Sequence, residues 1–307
     1  MNISIMQSSG SKRQAAFDLQ TMPCQKYSRN GVVDFKNSTG YFFQGKWMLR
    51  YCKGDLGSIG KCLRNTVLYF WGDSTLRQWF SYLQSVKLSL GCKILFRDGK
   101  TWFSQTTSYC KRYNLWLVYI PHNIPAVACR KSNMLSFFSK TLSEQIDCNG
   151  HASRRILSIH IYAHLQQESL RFFIANMVSI RRYVKEIIGN KCVSKIFIKL
   201  PHTHRVRKYK PWTIVQPDYI GLLYEFIISI VFNGLHKHVI GLNNRDATNA
   251  VKSTALHPDI MVVSAMVEQF LSYICTDRNA SGHSFHVKLL MCMCMFSTCN
   301  ICYILGN

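Results

Sequence analysis

The triplet Gly72-Asp73-Ser74 stands where chemistry is easily built. Before it runs a continuous apolar stretch, Thr66-Val67-Leu68-Tyr69-Phe70-Trp71, as expected of a strand buried on both faces. After it, Leu76, Trp79, Phe80, Leu83 and Val86 recur at helical spacing over 74–88. A Gly lets the backbone turn sharply between strand and helix, which leaves the Ser74 hydroxyl exposed at a helix N-terminus. There the helix dipole and the free backbone N–H groups favour developing negative charge. Gly72 and the Ser74 N–H are therefore the candidate oxyanion positions, and Ser74 the candidate nucleophile. The same residues also fit a plain helix cap, with Asp73 or Ser74 satisfying backbone donors. A serine hydroxyl needs a base. The chain offers eleven histidines, of which His257 falls just before the last helical pattern. Arg77 lies one turn along from Ser74, placed either for an anionic substrate or for a neighbouring carboxylate.

The elements that must hold these residues alternate. Short apolar strands are expected at 93–96, 115–120, 155–162, 193–200 and 238–242, and helices at 168–188, 218–232 and 258–275. Residues 97–114 and 121–133 read as loops or hairpin pieces, and 31–62 as an irregular segment with Cys52 and Cys62. Strands alternating with helices argue for an α/β fold whose mostly parallel sheet is covered on both faces, with its site beyond the carboxyl ends of the strands. Ser74 and His257 both follow strands in that sense.

The composition is globular, with 48% hydrophobic residues and a formal charge of +23. Such an excess raises affinity for polyanions in general. No zinc-finger or RNA-binding signature accompanies it, so nucleic acid is not an expected partner. The basic run His202-Thr203-His204-Arg205-Val206-Arg207-Lys208-Tyr209-Lys210 reads as a solvated loop, which would draw acidic glycans if it bordered the cleft. Nine cysteines are spaced singly through 24–275 without paired metal-ligand spacing, which argues against a structural zinc site and for disulfides in an oxidising compartment. The sequon Asn37-Ser38-Thr39 is compatible with glycosylation. Residues 1–30 are expected to be a disordered lead-in without an apolar signal core. Residues 276–307 form an atypical Cys- and Met-rich apolar tail, either a short membrane anchor or a non-native end; a membrane is a partner only if this tail anchors.

Gly72-Asp73-Ser74-Thr75-Leu76-Arg77-Gln78-Trp79 resembles the nucleophile block of the neurexophilin and PC-esterase domain family. Ser38-Thr39-Gly40-Tyr41-Phe42-Phe43 with Trp47 and Cys52, then Ile180-Arg181-Arg182, then Leu256-His257-Pro258 with Phe270-Leu271-Ser272-Tyr273-Ile274-Cys275, are similar to further blocks in the same order. The resemblance spans about 38–275, so 31–275 is taken as one domain. It implies a three-layer SGNH/GDSL-hydrolase-like α/β fold and O-acyl chemistry on carbohydrates, without cofactor or metal, in the secretory lumen or outside the cell. It places the base at His257 and a further oxyanion donor at His164. Relatives of this kind often carry an Asp three residues before the His; here that position is Thr254. The alternatives for the third member are Asp246 and Asn243, with Asp259 requiring the chain to fold back. Three functions follow as expectations. One is a Ser-His esterase or acyltransferase on O-acetylated glycans, with a donor such as acetyl-CoA if it transfers. The second is a catalytically inactive secreted binding protein. The third is a basic polyanion-binding module.

Overall fold

The computed structural model describes residues 24, 39–44, 46–50, 58–85, 88–99, 104–122, 146–150, 154–165, 168–203, 218–251 and 256–275. The chain divides into two units, Met1–Thr276 and Asp277–Asn307, and every described residue belongs to the first. Of the expected lead-in 1–30 only Cys24 is described, and of the sequon only Thr39; the rest of both, and the apolar tail, lie outside the described residues.

In chain order the strands are β1 (Gly40–Phe43), β2 (Lys46–Leu49), β3 (Thr66–Gly72), β4 (Lys93–Arg97), β5 (Thr106–Cys110), β6 (Leu115–Pro121), β7 (Arg154–His160), β8 (Lys195–Lys199) and β9 (Val239–Leu242). The helices are α1 (Ile59–Cys62), α2 (Ser74–Gln84), α3 (Tyr162–Leu165), α4 (Leu170–Gly189), α5 (Asp218–Val231), α6 (Arg245–Ala250) and α7 (Ile260–Ile274). Strands β1 and β2 form an antiparallel hairpin. The other seven form one sheet in the order β4-β5-β6-β3-β7-β8-β9. From β6 to β9 all neighbours are parallel, and β4 and β5 extend one edge antiparallel.

The five parallel strands thus stand, by chain position, in the order second, first, third, fourth, fifth. The chain leaves β3 in one direction to reach β6 and in the other to reach β7. That reversal opens a crevice at the carboxyl ends of β3 and β7, the place where doubly wound sheets bind ligands.

Side-chain alternation on β3 divides the core in two. Leu68 and Phe70 face a layer containing Trp79 of α2 and Met266 and Phe270 of α7. Tyr69 and Trp71 face a second layer with Phe173 and Ile180 of α4 and Tyr224 of α5. The period-2 geometry of a strand sends successive residues to opposite faces, so both must be apolar when both faces carry helices. The result is the three-layer α/β architecture.

Three features depart from the sequence reading. The segment 31–62, expected to be irregular, contains the β1–β2 hairpin and α1. Within 97–114 the structure adds β5, whose alternating Thr106-Thr107-Ser108-Tyr109-Cys110 lacks an apolar run because an antiparallel near-edge strand buries only alternate residues. Helix α6 follows β9 where no helix was expected, its six residues being too few for a hydrophobic period. Three disulfides join described residues: Cys62–Cys275, Cys92–Cys110 and Cys148–Cys192. They fit a protein of an oxidising, extracellular or secretory compartment. No helix among the described residues is long and apolar enough to cross a membrane.

Candidate active site

Asp73 caps α2 from an extended backbone, its Oδ1 accepting from Thr75 N at 2.8 Å and from Thr75 Oγ1 at 2.7 Å. Leu76 N donates to the same oxygen at 3.4 Å. The other carboxylate oxygen accepts from Ala163 N at 3.2 Å, at the start of α3. Asp73 therefore takes the helix-capping role, and Ser74 is released from it. The Ser74 N–H, first in the helix, has no intrahelical acceptor by construction.

Ser74 Oγ lies 2.7 Å from His257 Nε2, across 183 residues of sequence. The serine is buried at 6% exposure while His257 is exposed, so the imidazole lies on the solvent side of the hydroxyl. Of the sequence candidates, these two are the pair that the fold brings into contact. Gly72 ends β3, in register with Pro121 on one side and His160 on the other, and its carbonyl accepts from His122 N at 3.1 Å. It is held in the sheet ladder. A Cβ there would collide with the His160 carbonyl, so its service to the site is close packing of β3 against β7. Arg77 is half-buried on α2, near enough to Tyr119 to act on it electrostatically. His164 lies in α3, with its side chain outside the described residues, as is Thr254.

The candidates for a third member are engaged elsewhere. Asp246 Oδ2 accepts from Thr39 N at 2.8 Å and Thr39 Oγ1 at 3.0 Å, tying α6 to the β1 end of the hairpin. Asn243 Oδ1 accepts from Arg245 N at 2.9 Å, and Arg245 in turn pairs with Glu225 at 3.1 Å. Asp259 caps α7 through Val262 N at 3.1 Å rather than folding back to His257. Asn243 and Asp259 thus serve backbone donors two and three residues along, and Asp246 serves a residue 207 positions away.

Beneath the pair lies a buried polar network that the sequence reading did not single out. Lys199, 1% exposed at the end of β8, reaches Thr75 Oγ1 at 3.2 Å, His160 Nε2 at 3.3 Å and His202 Nδ1 at 3.1 Å. The outer nitrogens of both imidazoles face carbonyls: His160 Nδ1 lies 2.7 Å from Lys199 O, and His202 Nε2 lies 2.9 Å from Leu256 O. A carbonyl only accepts, so each of those nitrogens must carry its proton. The inner nitrogens are then bare acceptors, and the three N–H bonds of the Lys199 ammonium meet three acceptors. Thr75, receiving one of them, donates its own hydrogen to Asp73.

Burial pushes the His160 imidazole down to about 3, against the pull of Asp73, so His160 is neutral. Its 3.4 Å approach to Asp73 Oδ2 is accordingly a proximity and not an ion pair. Burial also lowers the Lys199 ammonium to about 8, with Asp73 opposing, which keeps it charged at neutral pH. One buried cation and one buried carboxylate thus balance across the Thr75 hydroxyl. A signal was present in the sequence: Lys199 closes the otherwise apolar Ile196-Phe197-Ile198, on a strand whose neighbours cover both faces. No group of three or more potential metal ligands occurs among the described residues.

These features define a class: a doubly wound α/β domain with a serine–histidine pair at the switch point of its sheet. Residues 47–275 match the family described as NXPE family member 4-like, C-terminal domain. The chain belongs to that family, which agrees with the resemblance read from its motifs. Among solved structures, it is similar to Axe2, an acetylxylan esterase from Geobacillus stearothermophilus, at 14% identity and a TM-score of 0.42, covering 71% of this chain and 97% of that one. It is also similar to LAE5, an alpha/beta hydrolase enzyme from the metagenome of Lake Arreo, Spain, at 9% identity and a TM-score of 0.36, covering 68% and 94%. At that distance neither likeness bears on substrate or activity.

Proposed function

We propose that this chain is a serine–histidine esterase or acyltransferase acting on O-acetyl groups of glycans, in an extracellular or secretory setting. The observation that carries the reading is the 2.7 Å contact between Ser74 Oγ and His257 Nε2 at the N-terminus of α2. A bare Nε2 accepts the hydroxyl proton as Oγ attacks the acyl carbonyl carbon. The carbonyl π electrons move to oxygen, and that oxyanion is met by the Ser74 N–H. On collapse the sugar oxygen leaves, taking the proton back from His257, and the acetyl group stays on Ser74. Water, deprotonated by the same imidazole, then releases acetate and completes ester hydrolysis. A sugar hydroxyl in place of water completes transfer, with acetyl-CoA as a suitable first donor. Neither course calls on a metal or a cofactor. The excess of positive charge favours acidic glycans as acceptors.

A second reading, a family member that binds glycan or protein without turnover, is favoured by one observation: Asp246 Oδ2 is held by Thr39 and Asn243 Oδ1 by Arg245. Fluorophosphonate labelling separates the two. The chain, produced through an oxidising secretory route, is treated with the probe and its intact mass compared with that of Ser74→Ala. An adduct on the unaltered chain that is missing from Ser74→Ala supports the enzyme. A folded chain with no adduct overturns it in favour of binding.

A further inference from the structure

His257 is exposed, and it stands in the short irregular stretch 256–259 just before α7, yet its ring must keep its place against Ser74 to within a few tenths of an ångström for proton transfer. The residues on either side of it supply the hold. The carbonyl of Leu256 lies 2.9 Å from His202 Nε2. The carbonyl of Pro258 accepts from Gln78 Nε2 at 2.9 Å. Gln78 is on α2, one helical turn beyond Ser74, so one of the two donors rides on the nucleophile's own helix. The other comes from the carboxyl end of β8, across the crevice.

We infer that His202 and Gln78 are positioning residues, a two-point clamp on the backbone of the base turn, with Lys199 fixing the His202 end. This rests on the serine–histidine reading of the site and extends it to residues that touch neither substrate nor reacting atoms. Proton placement makes the clamp directional. Leu256 O requires His202 to present Nε2–H, which leaves Nδ1 bare, and a bare Nδ1 buried at 1% exposure needs a donor. Lys199 is that donor, and its remaining N–H bonds go to His160 and Thr75. Thr75 is the residue after the nucleophile. The ammonium therefore ties the nucleophile's helix, the end of β7 and the base turn to one buried point. The two held carbonyls flank the imidazole and so fix the turn that carries the ring.

The test uses His202→Phe, which keeps a ring but no donor, His202→Gln, whose amide N–H replaces Nε2–H, and Gln78→Leu. Two readouts are taken on the full chain. The first is fluorophosphonate labelling of Ser74, resolved into the maximal rate and the concentration for half-saturation. The second is amide hydrogen exchange of the peptide spanning 256–260. His202→Phe and Gln78→Leu should each lower the maximal labelling rate about tenfold, the worth of one lost hydrogen bond, with the half-saturating concentration little moved. His202→Gln should recover most of that loss. Exchange over 256–260 should quicken in His202→Phe and Gln78→Leu and not in His202→Gln. Wild-type labelling rates and unchanged exchange in both clamp variants would overturn the inference, as would a change that His202→Gln fails to repair. If the unaltered chain takes no label, the catalytic reading falls, and exchange alone then decides: quickening confined to 256–260 supports the clamp, and no quickening refutes it.

Discussion

Acidification should unfold this protein through one buried imidazole. His160 is almost fully inaccessible, and burial holds its pKa at about 3, against the ordinary 6.5 that it regains on unfolding. Its folded pKa is thus depressed. The unfolded chain binds the proton first as pH falls, so the stability His160 contributes is fully present above about 6.5 and drains away down to about 3. Between pH 7 and pH 4 the two pKa values imply a loss of about 3 kcal/mol from this group alone, a large share of a typical domain's stability. Carboxylates titrate within the same window, Glu225 at its upper end because burial raises it to about 7, so the control is His160→Asn. Its amide N–H can keep the bond to Lys199 O that His160 Nδ1 makes, and it does not titrate. Urea unfolding of both proteins at pH 7, 6, 5 and 4 gives two curves of stability against pH. The variant starts lower, having lost ring packing and the acceptor for Lys199, but its curve should be flatter by about 3 kcal/mol over the interval. Parallel curves would sink this account, because they would mean that His160 binds its proton equally in both states.

Two further outcomes follow from the same structure. Disulfide Cys62–Cys275 closes 213 residues and Cys92–Cys110 closes 18. By chain entropy, replacing both cysteines with alanine should cost about 5 kcal/mol for the first pair and about 3 kcal/mol for the second, read from urea midpoints; a reversed order would show that native packing, not loop closure, dominates. Gly72→Ala puts a methyl group into the His160 carbonyl and must part β3 from β7. It should cost about 1–3 kcal/mol and abolish Ser74 labelling in the fraction that remains folded, whereas full labelling would show that the crevice tolerates the spread.

The features legible in the chain before folding are local ones. The apolar run into Gly72, the Asp73-Ser74 turn and the helical spacing after it are contiguous, so their periodicity and turn chemistry could be read without knowing where the rest of the chain goes. The alternation of strands and helices carried the α/β class for the same reason, each element announcing itself within a short stretch of sequence. His257 was within reach because it stands beside a Pro at a helix start and within a familiar block. The partners of the site were not legible, because they come together only when β7, β8 and the α7 turn converge on the carboxyl edge. Asp246, Asn243 and Asp259 all lie near His257 in sequence, yet Asn243 and Asp259 turn to backbone donors two and three residues along, and Asp246 to Thr39, which only the fold brings near. Lys199 and His160 are not singled out in the sequence, and His202 belongs to a basic run that reads as a solvated loop. Folding turns them into a single buried network, because a cation drawn out of water must find an acceptor for every N–H, and in this fold the strand ends are where those acceptors meet.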